Sequence, residues 1–191
     1  MRIILASKSP RRRELLSLLN QDFTVMSEEV DETIDQSLPI ESEIKRLSLE
    51  KAKAVASKAG ENSIIISADT AVVLGDRVFG KPKDRAAAYE MLRALSGKTH
   101  KVMTGVTVLS GAGSDTRAAV TEVTFKELND AEINAYIDTG DPFDKAGAYA
   151  LQGISCVFVS GIKGDHFNVY GLPVSLLADM LRGFGVRILD Y

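Results

Sequence analysis

Short apolar runs alternate along this chain with stretches of helical periodicity, and polar or glycine-containing breaks separate them. Runs such as SIIISA at 63–68 predict buried strands. An apolar stripe of Ile44, Leu47, Ala54 and Val55 predicts an amphipathic helix over 41–58. Strands are predicted over 3–5, 23–26, 63–68, 71–74, 77–79, 100–109, 117–125, 156–162 and 186–189. Helices are predicted over 10–19, 41–58, 130–138 and 173–182, and one more begins at a cap on Asp84 and ends at residue 95.

Two stretches have neither a helix nor a strand period. The first, GDPFDKAGAYALQG at 140–153, combines glycines with aspartates and a lysine. Long irregular loops inside a compact domain are usually functional or disordered, and the interleaved Phe143, Tyr149 and Leu151 argue against disorder. The second, 164–171, is predicted as a loop or a bent strand.

Length and composition are those of an ordinary globular protein. The 191 residues suffice for one sizeable α/β domain or two small lobes, and the chain is 45% hydrophobic and 26% charged. A net charge of -3 creates no overall basic field that would attract nucleic acid or an anionic membrane. The single cysteine, Cys156, provides neither a disulfide framework nor a zinc cluster, and its neighbours Val157 and Phe158 predict a buried strand thiol.

Targeting signals are not apparent in the sequence. No apolar run approaches the roughly 20 residues that span a bilayer. Residues 1–20 are rich in arginine but lack the apolar core and small-residue cleavage site of a signal peptide. We therefore expect a cytoplasmic protein that has no membrane or nucleic-acid partner.

The first 19 residues predict a strand, a tight loop and a helix, with Ser9 as the N-cap and Pro10 at the first helical position. The run Arg11, Arg12 and Arg13 then falls in the first helical turn, where free N–H groups make positive charge unfavourable. An anion bound there would remove that conflict, because helix N-termini bind phosphate and arginine adds bidentate donors. A phosphate site from Ser7 to Arg12 and a solvated basic turn both fit this stretch.

An acidic segment and a lysine on the following helix each allow two interpretations. The segment SEEVDET at 27–33 is either a solvated loop or a supply of carboxylates for a divalent metal. Lys51 lies on the apolar stripe of the predicted helix, four residues from both Leu47 and Val55. It either extends along the surface to reach solvent or lines a site.

Asp69 and Lys81 occupy positions that suit a functional site. Asp69 follows the predicted strand 63–68, and open α/β sheets bind ligands at the carboxyl ends of their strands. We therefore interpret Asp69 as a functional carboxylate. Lys81 lies between a glycine and a proline, which suits either a positioned charge or an ordinary turn.

The remaining candidates favour chemistry on phosphates. The sequence has neither GxxxxGK[ST] nor GxGxxG, and His100 and His166 are not spaced as metal ligands. It also contains no evident nucleophilic triad. The candidate carboxylates are Asp31, Glu32 and Asp69, and the candidate cations are Arg12, Lys51 and Lys81. This combination suits attack of water on a phosphoanhydride, with Mg²⁺ and the cations neutralising the phosphates and a carboxylate activating the water.

Five motifs in order resemble those of the Maf proteins, a family of nucleoside triphosphate pyrophosphatases. They are LASKSPRRRELL at 5–16, ADT at 68–70, GKP at 80–82, LSGKTHKVMTGV at 95–106 and DKAGAYALQG at 144–153. The resemblance implies a single Maf-like domain over 1–191, of the α/β class. It implies two lobes around a long mixed sheet, as in inosine triphosphate pyrophosphatases, with the active-site cleft between the lobes. The reaction implied is cleavage of a nucleoside triphosphate to the monophosphate and pyrophosphate.

Three positions resemble the branch of the family that acts on dTTP and UTP. That branch has SPRR, ADT and a glutamine in AYGIQG, which correspond here to Pro10-Arg11-Arg12, Asp69-Thr70 and Gln152. A sibling branch that acts on 7-methyl-GTP differs at all three places. Ala150-Leu151 replaces the usual Gly-Ile, a conservative departure. The ranking of dTTP, UTP and modified pyrimidine nucleotides stays open.

The resemblance also implies a role for each candidate residue. Asp69 is the implied general base, and Glu32 is the carboxylate that helps to bind Mg²⁺ or Mn²⁺ with it. Arg11, Thr70 and Gln152 correspond to specificity residues, whose donors and acceptors can complement a pyrimidine edge. The positions that hold the triphosphate are Ser7, Arg12, Lys51 and Lys81, with Lys145 as a further phosphate-binding candidate.

Two other functional classes compete with an enzyme. Overproduced Maf proteins are associated with blocked septation, so a nucleotide-binding regulator of cell division with little catalysis is the alternative. Asp69 discriminates between the two, because a pure binder needs no base. Nucleic-acid binding through Arg11 to Arg13 is disfavoured by the net charge and by the lack of a second basic patch. Family habit alone implies a homodimer.

Overall fold

The computed structural model describes residues 1–189, which form seven strands, six α-helices and three short 3₁₀ helices. The strands are β1 (Arg2–Ala6), β2 (Phe23–Met26), β3 (Ser63–Leu74), β4 (Arg77–Phe79), β5 (Thr99–Ser110), β6 (Gly113–Phe125) and β7 (Val159–Lys163). The helices are α1 (Pro10–Ser17), α2 (Ile40–Ala59), α3 (Arg85–Leu95), α4 (Asp130–Asp138), α5 (His166–Val169) and α6 (Val174–Gly183). Within the described part of the chain, no helix is both long and apolar enough to cross a membrane.

All seven strands belong to one mixed sheet, which confirms the predicted α/β class. The strand order is β2-β1-β3-β5-β6-β7, and β4 pairs with β3. β1 is parallel to both β2 and β3, whereas β4 is antiparallel to β3 and β7 is antiparallel to β6. A parallel pair needs a crossover connection, and α1 and α2 supply the helices for the two crossovers around β1.

The chain divides into two compact units, and each is described by itself. The first comprises Met1–Asp69, Thr104–Ala119 and the chain from Gly171 onward, and the second comprises Thr70–Met103 and Val120–Tyr170. In the first unit, α2 packs on β1 and β3 through a cluster that includes Ala52, Val55 and Ile65. In the second unit, a larger core joins α3 and α4 to strand residues such as Val123 and Phe125.

Local sequence patterns predicted several helices and turns correctly. The Ser9 side chain caps α1 with Pro10 in its first turn, and the side chain of Asp84 caps α3. The predicted hairpin at 71–79 is confirmed by the pairing of β3 with β4 on either side of Gly75-Asp76. Helix α4 has the predicted bounds, with a capping box formed by Asn129 and Glu132.

Three other predictions of secondary structure were wrong. β3 does not end before Asp69 but continues to Leu74, because the sheet pairs its backbone beyond the polar residues. Residues 186–189 form no strand, since the chain turns at Gly185 (φ 79°) and the N–H of Val186 bonds the carbonyl of Leu181 at the end of α6. The stretch 164–171 is neither loop nor strand throughout, because it contains the one-turn helix α5.

The predicted environment of Cys156 was also wrong. Cys156 is exposed and belongs to a 3₁₀ helix, Ile154–Phe158, rather than to a strand, and β7 starts only at Val159. The Ser155 hydroxyl holds this turn by donating to the carbonyl of Ala150 at 2.8 Å. Phe158 is consequently buried, while Ile154 and Val157 point outward.

Candidate active site

Lys51 joins two carboxylates that lie far apart along the chain. Its ammonium donates to Asp69 Oδ1 at 2.5 Å and lies 2.7 Å from Glu32 Oε1. The side chains of Lys51 and Asp69 are only 14% and 13% exposed, whereas that of Glu32 is 59% exposed. Lys51 therefore points into a cluster of opposite charge and does not extend along the surface to solvent.

Buried hydroxyl groups set the register of this ion pair. Ser67 Oγ on β3 donates to the carbonyl of Ser48 on α2 at 2.5 Å, and Ser48 Oγ lies 2.5 Å from Thr107 Oγ1. All three side chains are buried. Asp69 lies two residues beyond Ser67 on the same face of the strand, and Lys51 lies one helical turn beyond Ser48. The hydroxyl contact therefore brings the lysine and the aspartate together.

Sequence reasoning missed these hydroxyl groups. Ser48 and Ser67 lie on the inward faces of an amphipathic helix and an apolar strand, where serine is uncommon. A small polar residue within each buried pattern was the available signal.

Arg12 is bound to the backbone beside Asp69. Its Nη1 donates to the carbonyl of Ala68 at 2.6 Å, and its Nε donates to the carbonyl of Gly171 at 2.8 Å. Burial lowers the pKa of Arg12 because it penalises the charged guanidinium, and the negative charge of Asp69 opposes this shift. The guanidinium is still protonated at neutral pH, so a fixed positive charge lies next to the carboxylate.

Ser7 and Arg11 lie where the first strand leads into α1. The Ser7 hydroxyl accepts a hydrogen bond from the N–H of Ser9 at 3.2 Å, which shapes the loop between β1 and the helix. Ser7 is buried and Arg11 is partly buried. The structure thus places both candidates at the N-terminal end of α1, and Arg12 from the same turn reaches the carbonyl of Ala68.

The other four candidates belong to the second unit. Thr70 follows Asp69 in β3, while Lys81 and Gln152 are exposed. Lys145 is 6% exposed, and its ammonium contacts Asp141 Oδ1 at 3.0 Å and Asp144 Oδ1 at 2.6 Å. In this structure Lys145 is therefore tied to carboxylates of its own loop.

The loop 140–153 is attached to the end of β4. The N–H of Gly147 donates to the carbonyl of Gly80 at 3.0 Å, one residue before Lys81. Gly147 has a φ of 68°, and a Cβ at this position would lie 3.0 Å from both methyl groups of Val72. Only glycine suits this conformation and this close approach to β3.

The donor set fits a magnesium ion that is shared with phosphate. No group of three or more His, Cys, Asp and Glu side chains among residues 1–189 could hold a metal. However, Mg²⁺ is usually bound by one or two carboxylates together with substrate phosphates and water. Glu32 and Asp69 supply two such carboxylates, because both lie within 2.7 Å of the Lys51 ammonium. Asp31 does not join them, since its Oδ1 accepts from the N–H and hydroxyl of Thr33.

Comparison with solved structures identifies the fold class. The structure of the Staphylococcus aureus Ham1 protein superimposes with a TM-score of 0.52 and covers 96% of this chain and 100% of that one. At 15% sequence identity, the likeness shows a shared α/β fold and no more. It agrees with the mixed-sheet architecture described above.

The chain belongs to the Maf family, whose model, described as Maf-like protein, matches residues 2–184. A dTTP/UTP pyrophosphatase of Thermoanaerobacter sp. (strain X514) is 50% identical over 194 residues and covers 99% of this chain and 100% of its own. Proteins of the same name from Desulforamulus reducens and Bacillus cytotoxicus are 46% and 49% identical. They cover 97% and 96% of this chain, and 98% and 95% of their own lengths. The resemblance to Maf proteins is thereby confirmed.

Proposed function

We propose that this chain hydrolyses dTTP and UTP to the nucleoside monophosphate and pyrophosphate. Three relatives that are 46–50% identical over nearly their whole lengths bear the name dTTP/UTP pyrophosphatase. Within this chain, the observation that carries the proposal is the cluster of Asp69, Lys51 and Glu32 beside Arg12. No observation on the described residues favours a non-catalytic regulator.

Asp69 is proposed as the general base for the attacking water. A carboxylate that takes a proton from water while water attacks phosphorus can accelerate such a step by about 10²–10⁴-fold. Before substrate binds, the Lys51 ammonium occupies Asp69 Oδ1 at 2.5 Å. A triphosphate competes for that ammonium, so substrate binding would release the carboxylate to act as the base.

The cations are proposed to hold the triphosphate. Arg12, Lys51 and Lys81, together with the Ser7 hydroxyl, would neutralise and orient phosphate oxygens, and Lys145 is a further candidate. Charge neutralisation of this kind is a large part of catalysis in phosphoryl transfer. The bond broken is the phosphoanhydride between the α and β phosphates, and pyrophosphate leaves.

A divalent cation is the proposed cofactor. Mg²⁺ or Mn²⁺ would be held by Glu32 and Asp69, and when bound it would supply further positive charge for the phosphates. Arg11, Thr70 and Gln152 are proposed to contact the pyrimidine edge, because their donors and acceptors can complement its carbonyl and N–H groups.

Pyrophosphate release from a panel of nucleotides tests the proposal. The purified full chain would be assayed with Mg²⁺ and dTTP, UTP, CTP, ATP, GTP or 7-methyl-GTP. We expect strong release from dTTP and UTP and little from the other four. Release from 7-methyl-GTP instead would contradict the assigned substrates, and silence across the panel would contradict the activity itself.

A further inference from the structure

A buried carboxylate on α2 has no part in the proposed reaction. Glu43 is only 2% exposed, although glutamate is rarely buried unless it is paired. Its two oxygens accept from the Arg46 guanidinium, Oε1 from Nε at 2.9 Å and Oε2 from Nη2 at 2.7 Å. These bonds lower the pKa of Glu43 to about 2, so the carboxylate is charged at any physiological pH.

The same pair of side chains holds the segment 31–37, which begins within the acidic stretch 27–33. Glu43 Oε2 also accepts from the N–H of Asp35 at 2.9 Å, and Arg46 Nη2 donates to the carbonyl of Thr33 at 2.9 Å. The segment is therefore attached to α2 on both sides of residue 34. The side-chain carboxylates of Asp31 and Asp35 accept from the N–H groups of Thr33 and Ser37, two positions ahead, and these bonds shape the segment itself.

Glu32 lies immediately before the point of attachment. The carbonyl that Arg46 binds belongs to Thr33, the next residue, and Glu32 Oε1 lies 2.7 Å from Lys51 on the same helix. Residues 31–35 belong to no helix or strand, so side-chain contacts such as these, and not a backbone ladder, hold the segment that carries Glu32. Arg46 is further oriented by Glu50, whose Oε2 accepts from Nη1 at 2.8 Å.

We propose that Glu43 and Arg46 are positioning residues that hold residues 31–35 on α2, so that Glu32 faces Lys51 and Asp69. This inference rests on the proposed function, in which Glu32 helps to bind the metal. The planar, bidentate guanidinium is essential to it, because a single group must bind a carboxylate and a backbone carbonyl together.

Arg46→Gln and Glu43→Gln test this role, and Glu41→Gln is the matched control. Loss of an outer-shell partner typically costs about 10–100-fold in metal affinity or activity, so we expect the Mg²⁺ concentration for half-maximal turnover to rise by about that factor. Glu41 pairs with Lys45 on the same helix at 3.1 Å, but the Glu41 side chain is 51% exposed and that of Lys45 is 36% exposed. Its replacement should change turnover by no more than about twofold.

A double-mutant cycle separates positioning from a general loss of structure. In a Glu32→Gln background, Arg46→Gln should lower turnover by less than about twofold, because Arg46 affects turnover through the position of Glu32, which is already replaced. Arg46→Lys keeps the positive charge but loses the bidentate guanidinium, so its turnover should resemble that of Arg46→Gln. A further tenfold loss in the Glu32→Gln background, or full activity with lysine, would overturn the proposal.

Hydrogen exchange gives a readout that is independent of activity. Arg46→Gln should speed amide exchange within 31–37 by at least about tenfold and leave the centre of α2 protected, because only the segment is released. Unchanged exchange in that segment would overturn the positioning role. Failure of the proposed function would show differently, as a wild-type chain that releases no pyrophosphate from dTTP while its exchange still responds to the substitution.

Discussion

At the residue scale, the ion pair of Lys51 and Asp69 has a chemical consequence. Asp69 is 9% exposed and its carboxylate is held by one ammonium at 2.5 Å, next to the guanidinium that binds the carbonyl of Ala68. Removal of the negative charge from Asp69 would leave those cations available to phosphate while deleting the proposed base. Binding and turnover are therefore separable at this residue.

Asp69→Asn should retain dTTP binding and lose most turnover. The amide preserves the shape but cannot accept the proton from water, so the loss should be about 10²-fold or more. Isothermal titration of dTTP binding and the pyrophosphate assay measure the two effects separately. Wild-type turnover in this variant would rule out Asp69 as the base.

His100 is a second residue whose environment determines its chemistry. Its Nε2 lies 2.6 Å from the Tyr149 hydroxyl, and its ring packs edge-on against Phe125 and Tyr149. Its Nδ1 is buried with no hydrogen-bond partner. Burial lowers the pKa of His100 to about 4, because a charged imidazolium would be poorly solvated there.

The pKa of His100 predicts acid sensitivity. The folded state holds His100 neutral while the unfolded state takes up a proton near pH 6.5, so stability falls as the pH drops from about 6.5 to about 4. The full effect is about 3 kcal/mol. His100→Gln can still bond the Tyr149 hydroxyl but does not titrate, so its urea-unfolding free energy should fall less steeply over that range. Parallel pH profiles for the two proteins would contradict this assignment.

At the element scale, the first unit depends on close contact between β5 and α2. A Cβ added at Gly105 would clash with the carbonyl oxygen of Ile44 and lie 2.7 Å from its carbonyl carbon and 2.9 Å from the Lys45 nitrogen. These are backbone atoms of α2, the helix that carries Lys51 and Arg46. The approach of strand to helix therefore needs a glycine.

Gly105→Ala should destabilise the protein by about 1–3 kcal/mol, because helix backbone must move to admit the methyl group. It should also lower turnover, since a shift of α2 moves Lys51 relative to Asp69. Gly111→Ala is the control, as its new Cβ would meet only the Glu61 carbonyl at 3.5 Å, an ordinary contact. Chemical denaturation measures both variants, and equal stabilities would contradict the close packing.

At the scale of the whole molecule, the chain passes repeatedly between its two compact units. Unit boundaries fall after Asp69, Met103, Ala119 and Tyr170, so each unit is assembled from separated stretches of sequence. Three of these boundaries lie inside β3, β5 and β6. Among the candidate residues, Asp69 and Lys51 belong to the first unit, whereas Thr70, Lys81, Lys145 and Gln152 belong to the second.

Binding of dTTP should stabilise the folded protein more than ATP does. In Asp69→Asn, which should consume substrate far more slowly than the wild type, dTTP with Mg²⁺ at a hundred times its Kd adds about 2.7 kcal/mol to the free energy of unfolding. For a chain of this size, that raises Tm by roughly 5–10 °C. Differential scanning fluorimetry with dTTP and with ATP at equal concentration checks this, and equal shifts would contradict pyrimidine selectivity.

The sequence by itself determined most elements whose signals are local. The cap at Ser9, the stripe that includes Ile44 and Leu47, and the Gly75-Asp76 turn each depend on residues a few positions apart. Periodicity and cap chemistry act over that distance, so α1, α2 and the hairpin were predicted with nearly correct bounds. The five motifs likewise sufficed for the family, because their order and spacing are properties of the chain alone.

Only the tertiary structure decided which of these residues meet. The contact between Ser48 on α2 and Ser67 on β3 brings Lys51 next to Asp69. The hydrogen bond from Arg46 to the carbonyl of Thr33 holds the segment in which Glu32 contacts Lys51. Tertiary contacts also decided that β3 continues beyond Asp69 and that Cys156 is exposed. Such outcomes depend on backbone pairing and side-chain packing between stretches distant in sequence, which local propensity and periodicity do not encode.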